Sequence, residues 1–315
     1  MKTQLPQDVV DFGRASRACF AALGSDSFSG AQFALAAEND VTLRELTGTA
    51  LEQLGAFDID PMADAHQLLA ACELSRVAGS VALPYPVAER LLARADAWCA
   101  LIDERTPFVD HGELHDTWVG VALDGSLHSL SIVNGHAKRK LAPFVRPASV
   151  VAPVPGGQRR VAAIHLVLGA WRVLGTLEAA IEQVSAHVQA RVQFGKPLAE
   201  FQAVRFSLAD AVVTVRGLSE LARYTAWRQV GGEQTALADA LALRIYAADG
   251  ARSVLRTCHQ LLGAVGFCDE HDVSVLDRHI QSTTRLPMPA EALVERLIPS
   301  VADERFETLF TTGAS

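Results

Sequence analysis

Apolar residues recur three and four positions apart through most of the N-terminal third, the spacing of a helix with one buried face. The segments QDVVDFGRASRACFAALG, NDVTLRELTGTALEQLGAF and DPMADAHQLLAACELSRVAG each show it, and Gly24, Gly55 and Gly79 stand where glycine commonly closes a helix. Pro84 and Pro86 then mark a turn before another short helical run. Between about residue 97 and residue 160 the pattern changes to short β-favouring runs broken by glycine, asparagine and proline. Trp118 to Leu123 and Leu127 to Val133 are the best strand candidates, joined by an Asp124–Gly125 turn, within a module of about five short strands. After Gly156–Gly157 the helical spacing returns in long segments, from about Val161 to Val192, Glu200 to Val230 and Glu233 to Leu262. A shorter one follows the acidic cluster Asp269–Glu270–His271–Asp272. Four such helices joined by short loops satisfy one another as a bundle. The predicted architecture is therefore mainly α with a small β domain: helical residues 1–97, a reduced β region 98–158 and a helical bundle 159–315.

Composition narrows the function classes. Half of the 315 residues are apolar and the net charge is −8, so the broad basic face that a nucleic-acid binder needs is not expected. The apolar stretch from Val161 to Gly175 is interrupted by His165 and Arg172 and reads as a buried helix rather than a membrane span. Five cysteines form no CxxC pair and leave one over in any disulfide scheme, which points to reduced thiols and a cytoplasmic protein. Four adjacent residues on a helix point in different directions. The 269–272 cluster therefore reads as a helix start with acidic side chains at the positive end of the dipole, and no metal site is expected.

Two strings carry chemistry. RVQFGKPLAEFQAVRFSLAD runs from Arg191 to Asp210, and HQLLGAVGFCDEH runs from His259 to His271. The first resembles the signature segment of the acyl-CoA dehydrogenases, and the second is similar to that family's Gln–x–x–Gly–Gly–x–Gly–Phe segment, with Ala264 in place of the second glycine. The order of helical domain, β domain and four-helix bundle is also the family's own. The resemblance implies that Arg191 pairs with the diphosphate of FAD, and that Gln193, Phe194 and Gln202 lie along its adenosine half. Gln260 and Gly263 belong to the second loop on the same cofactor, and in this family one subunit lends these residues to the flavin of its dimer mate.

The departures from the family pattern are equally specific. The Thr–Glu…Gly–Ser–x–Asp and Trp–(Ile/Val)–Thr segments that hold the flavin ring are missing. So is the Tyr–Glu–Gly–Thr segment that carries the catalytic glutamate in many members; the corresponding stretch reads RHIQSTTRLPMP. Some members carry the base on another bundle helix, and Asp249, eleven residues before Gln260, stands at that alternative position. An ordinary i,i+3 pair with Arg252 explains Asp249 equally well. The retained strings serve a neighbour's flavin, and the lost ones serve a site of the chain's own. The pattern resembles the short subunits of heteromeric (α2β2) acyl-CoA dehydrogenases of actinobacterial steroid and cholesterol catabolism. The resemblance implies a full-length partner subunit, an acyl-CoA substrate and an α,β-desaturation. The alternatives are a self-sufficient homodimer with Asp249 as base, or a flavin-free structural partner.

Overall fold

A computed structural model describes residues 4–23, 30–133, 140–230 and 236–304. Five helices open the chain: α1 (Gln7–Leu23), α2 (Gly30–Ala37), α3 (Val41–Gln53), α4 (Ala65–Ser80) and the single turn α5 (Val87–Leu91). Asp40 and Asp64 cap α3 and α4 by accepting from the N–H of Thr42 and Gln67, which satisfies donors that a helix start leaves free. The spacing of apolar residues predicted α1, α3 and α4. It did not distinguish α2, whose sequence GAQFALAA is apolar nearly all round and carries no stripe.

The glycine expectations resolve differently at each position. Gly55 adopts φ +72° just past α3, in the left-handed conformation that ends a helix. Gly24 lies outside the described residues. Gly79 sits inside α4, and the left-handed residue after that helix is Ala82, at φ +51°. The missing side chain at Gly79 serves packing instead: a Cβ there would come within 1.9 Å of the Arg172 carbonyl oxygen.

The middle region forms one five-stranded sheet in the order β1–β3–β4–β5–β2. Its strands are β1 (Trp98–Leu101), β2 (Phe108–Asp110), β3 (Trp118–Val121), β4 (Leu127–Ile132) and β5 (Val145–Val154). β1 and β3 run parallel, and the other pairs are antiparallel. β3 and β4 are the predicted hairpin, and Gly125 takes φ +91° in its turn. Both β1 and β3 are buried along their whole length, so that side of the sheet is covered on both faces, whereas β5 is largely exposed.

The remainder is helical: α6 (Arg159–Ala190), α7 (Gln202–Val230), α8 (Ala236–Leu262), α9 (Asp272–Arg285) and α10 (Ala290–Glu304). α10 adds a fifth helix to the predicted four. α6 is the axis of the molecule, packing on α4, α7, α8 and α9. By length and hydropathy alone α6 could cross a membrane, but 72% of its most apolar window is buried against these neighbours. The 269–272 cluster opens α9, where the His271 ring accepts from the Val273 N–H and Asp272 occupies the first turn.

Candidate functional site

The two chemistry-bearing strings meet at one end of the bundle. α6 ends at Arg191, whose backbone N–H donates to the His187 carbonyl (2.8 Å) while its own carbonyl accepts from Leu198 N–H (2.9 Å). Between these bonds the chain makes a two-strand ribbon, β6 (Val192–Gln193) against β7 (Lys196–Pro197). Phe194 and Gly195 turn it with φ of +54° and +81°. Two successive left-handed residues match the twist of a tight hairpin, and glycine is what makes the second inexpensive. The ribbon projects Phe194 outward, 91% exposed. Its ring meets the edge of Phe201 (centroids 6.3 Å apart), over which Lys196 Nζ also lies at 4.4 Å.

The second string closes α8. Gln260 is on its last turn, and Gly263 opens a 310 turn at φ +63° with no atom within 4 Å of where a Cβ would stand. The loop is pinned from behind by His259, whose ring bridges the Gly266 carbonyl (2.6 Å) and the Asp277 carboxylate (3.0 Å) and stacks on Phe267. The hydrogen bond to Asp277 raises the His259 pKa above its ordinary value against the opposing effect of burial. Ser274 adds a second bond to the same Gly266 carbonyl (2.7 Å). Sequence reasoning did not find this support, because its partners lie 7 to 18 residues apart and meet only when α9 folds back on α8.

Arg191, Gln193, Gln260 and Gly263 line one open groove of about 680 Å³, together with His187 and Ser207. Its size is that of a small-molecule site. The donors suit an anion with an aromatic or sugar moiety beside it: a guanidinium fork, two carboxamides, and a glycine whose missing side chain leaves a close approach open. Of the other two sequence-derived positions, Phe194 stands clear of the groove on its ribbon and Gln202 begins α7 at the groove's edge without lining it. Asp249 is apart from all six. It is exposed on the outer face of α8, 3.8 Å from Arg252, in the i,i+3 pair that its sequence context allows.

A second cavity lies in the interior between the sheet and helices α4, α6, α8 and α9, and its volume is only about 50 Å³. It is lined by an unusual set of ionisable groups: Glu89, Asp110, His165, Arg172 and Arg244. Burial pushes the Glu89 carboxyl up to about 7 and the His165 ring down to about 4, the two standing 3.6 Å apart. Burial alone would raise Asp110 as well. The neighbouring His111 and Arg172 charges and the Ser282 hydroxyl, donating at 2.6 Å, hold it below the ordinary carboxylate range instead. Arg172 donates to the carbonyls of Leu83 and Tyr85, fastening the turn after α4. Arg244, 2% exposed, donates to the carbonyls of Thr283 and Leu286 at the end of α9. Such a space suits a few waters and is far below the 300 Å³ or so at which small-molecule pockets begin. The sequence did carry a trace of it, since His165 and Arg172 interrupt an apolar run seven residues apart, on one face of α6.

Residues 167–286 match the family model "Acyl-CoA dehydrogenase, C-terminal domain". The short-chain-specific acyl-CoA dehydrogenase of Megasphaera elsdenii is 33% identical over 110 residues, 35% of this chain and 28% of that protein. Cyclohex-1-ene-1-carbonyl-CoA dehydrogenase of Geobacter metallireducens is 31% identical over 117 residues, 37% of this chain and 31% of that protein. The chain thus spans about a third of the length of the curated relatives it matches. Solved structures align over nearly the whole chain at lower identity. The ChsE4–ChsE5 complex of Mycobacterium tuberculosis gives a TM-score of 0.76 at 17% identity, over 99% of this chain and 100% of that one. A Tcur3481–Tcur3483 steroid ACAD variant gives 0.73 at 18%, over 94% and 98%. PigA with FAD and proline gives 0.72 at 12%, over 96% and 99%. Residues 167–286 thus resemble the C-terminal domain of acyl-CoA dehydrogenases, and the described chain shares the fold of the solved structures that it matches.

Proposed function

We propose that this chain is one subunit of a heteromeric, FAD-dependent acyl-CoA dehydrogenase, and that it completes the flavin site of a full-length partner. The observation that carries the reading is a contrast between two spaces. The groove at Arg191, Gln193, Gln260 and Gly263 is open and has a size and lining that suit a nucleotide, whereas the interior cavity between sheet and bundle has no room for an acyl chain. Two of the structures that share the fold are themselves two-component assemblies, and one is described as a steroid ACAD, which makes a bulky steroid-derived acyl-CoA the favoured substrate.

Bound flavin supplies the acceptor for the β-hydride in such a reaction. This chain's share is binding and placement. Arg191 offers a planar, permanently charged fork to the diphosphate, and the ribbon that follows it fixes that fork at the groove mouth. Gln193 and Gln260 offer amide groups to the same groove. The carboxylate that takes the α-proton belongs, on this reading, to the partner.

The test is Arg191→Ala in the co-expressed complex. Loss of a charge-assisted hydrogen bond should weaken FAD retention by about tenfold or more, seen as a lower flavin-to-protein absorbance ratio after desalting. Unchanged flavin stoichiometry would overturn the role assigned to this groove.

A further inference from the structure

The outward face of α8 continues beyond the flavin groove. Arg252, Arg256 and Gln260 follow one another at intervals of four, so they form a single exposed row leading to Gly263. Beside the first two members, α9 and the start of α10 enclose a separate groove of about 450 Å³. Arg285, at the end of α9, lines the same groove as Arg256. The carboxylates that face this groove are already engaged. Asp277 holds His259 (3.0 Å) and accepts from Gln281 (2.6 Å), and Glu291 accepts from Arg252 (3.2 Å). Arg256 and Arg285 have no ion-pair partner among the described residues. A chain with a net charge of −8 and 28 basic residues thus leaves two guanidinium groups uncommitted in the lining of one concave site.

We infer that this groove is a second anion site, which takes a phosphate-bearing small molecule of about diphosphate size through Arg256 and Arg285. The concavity distinguishes it from a flat charged face that would meet an acidic segment of a partner protein. Two planar forks lining one concavity suit the several oxygens of a phosphate better than a single carboxylate. The inference stands on the geometry of α8, α9 and α10 and does not depend on the flavin reading of the neighbouring groove. The same chemistry has three sources: free inorganic phosphate, the diphosphate of a flavin dinucleotide, and the phosphates of a coenzyme A thioester.

The experiment is calorimetric titration of the purified full-length chain, and of Arg256→Ala, Arg285→Ala and Arg191→Ala, with inorganic pyrophosphate, FAD and coenzyme A. Pyrophosphate should bind with a Kd of about 1 mM or tighter, weakening steeply with added salt and by about tenfold in each of the Arg256 and Arg285 variants. Both residues are exposed, so melting curves of these variants should overlay the parent's. Coenzyme A losing affinity in the same two variants would assign the groove to the thioester, and FAD doing so would assign it to the flavin. Neither changing would leave free phosphate as the ligand. Pyrophosphate binding that Arg191→Ala abolishes and the other two do not would place the only anion site at the flavin groove and overturn the inference. So would an absence of pyrophosphate binding, or a loss of partner association in the Arg256 and Arg285 variants with pyrophosphate binding intact.

Discussion

Glu89 and His165 show how much a single buried residue can shape the behaviour of this protein. Glu89 titrates near 7 in the folded chain and near its ordinary 4.5 when unfolded, so the native state holds its proton longer. Stability from this group is therefore fully present below about pH 4.5 and declines as pH rises to about 7, by about 3 kcal/mol in all. His165 works in the opposite direction. Its folded value near 4 lies below its ordinary 6.5, so the unfolded chain gains the proton first and stability rises with pH between those values. Over the shared interval the two slopes offset each other. Glu89→Gln should remove the falling slope alone, so that the variant gains stability relative to the parent steadily from about pH 4.5 to 7 and then levels off. Urea unfolding of both proteins at half-unit pH steps reads this directly, and a pH-independent difference would show that Glu89 is not buried as described.

At the scale of elements, the contact that organises the fold is the crossing of α4 and α6, and two glycines make it possible. A Cβ at Gly175 would stand 1.7 Å from the Arg76 carbonyl oxygen, and one at Gly79 would stand 1.9 Å from that of Arg172. Thr176 completes the junction by donating to the Gly79 carbonyl at 3.0 Å. Backbone meets backbone here, so neither substitution can be absorbed by a side chain turning aside. Gly79→Ala and Gly175→Ala should each cost about 2 kcal/mol or more, despite alanine's better helix propensity, and lower the Tm by about 5 °C. A neutral or stabilising result at either position would contradict the crossing. The same junction shows what the sequence could and could not convey. Periodicity locates α4 and α6 because each must bury one face, and the hairpin of β3 and β4 is legible from its Asp124–Gly125 turn. The role of Gly79 is not legible, because a helix-ending glycine and a helix-crossing glycine look alike until the neighbour is in place. The groove was legible only in part. Arg191, Gln193, Gln260 and Gly263 belong to two local strings, but His259 with Asp277 behind the groove, and Glu89 with His165 in the interior cavity, are pairings between elements that leave no local signature.

On the scale of the whole molecule, the surface around the groove is unusually apolar for a chain that works alone. Phe194, Phe206, Val213, Val265 and Phe267 are all more than a third exposed, on the ribbon, on α7 and on the loop after α8. Large exposed aromatic groups beside a nucleotide-sized groove are expected of a surface that another subunit covers. The interior adds a second reason to expect a partner, because the cavity lined by Glu89, His165 and Arg244 holds only about 50 Å³. Two linked outcomes follow. Purified alone, incubated with excess FAD and desalted, the chain should be colourless and should bind no acyl-CoA in its interior. Co-expressed with a full-length acyl-CoA dehydrogenase subunit, it should copurify as a yellow heteromer whose flavin is bleached by acyl-CoA. Asp249→Asn in that heteromer should leave the bleaching rate unchanged, because Asp249 is exposed on α8 and pairs only weakly with Arg252. A visible flavin spectrum on the isolated chain, with turnover that Asp249→Asn abolishes, would instead make it a self-sufficient enzyme. That outcome would require the sheet and bundle to open well beyond the 50 Å³ they enclose here.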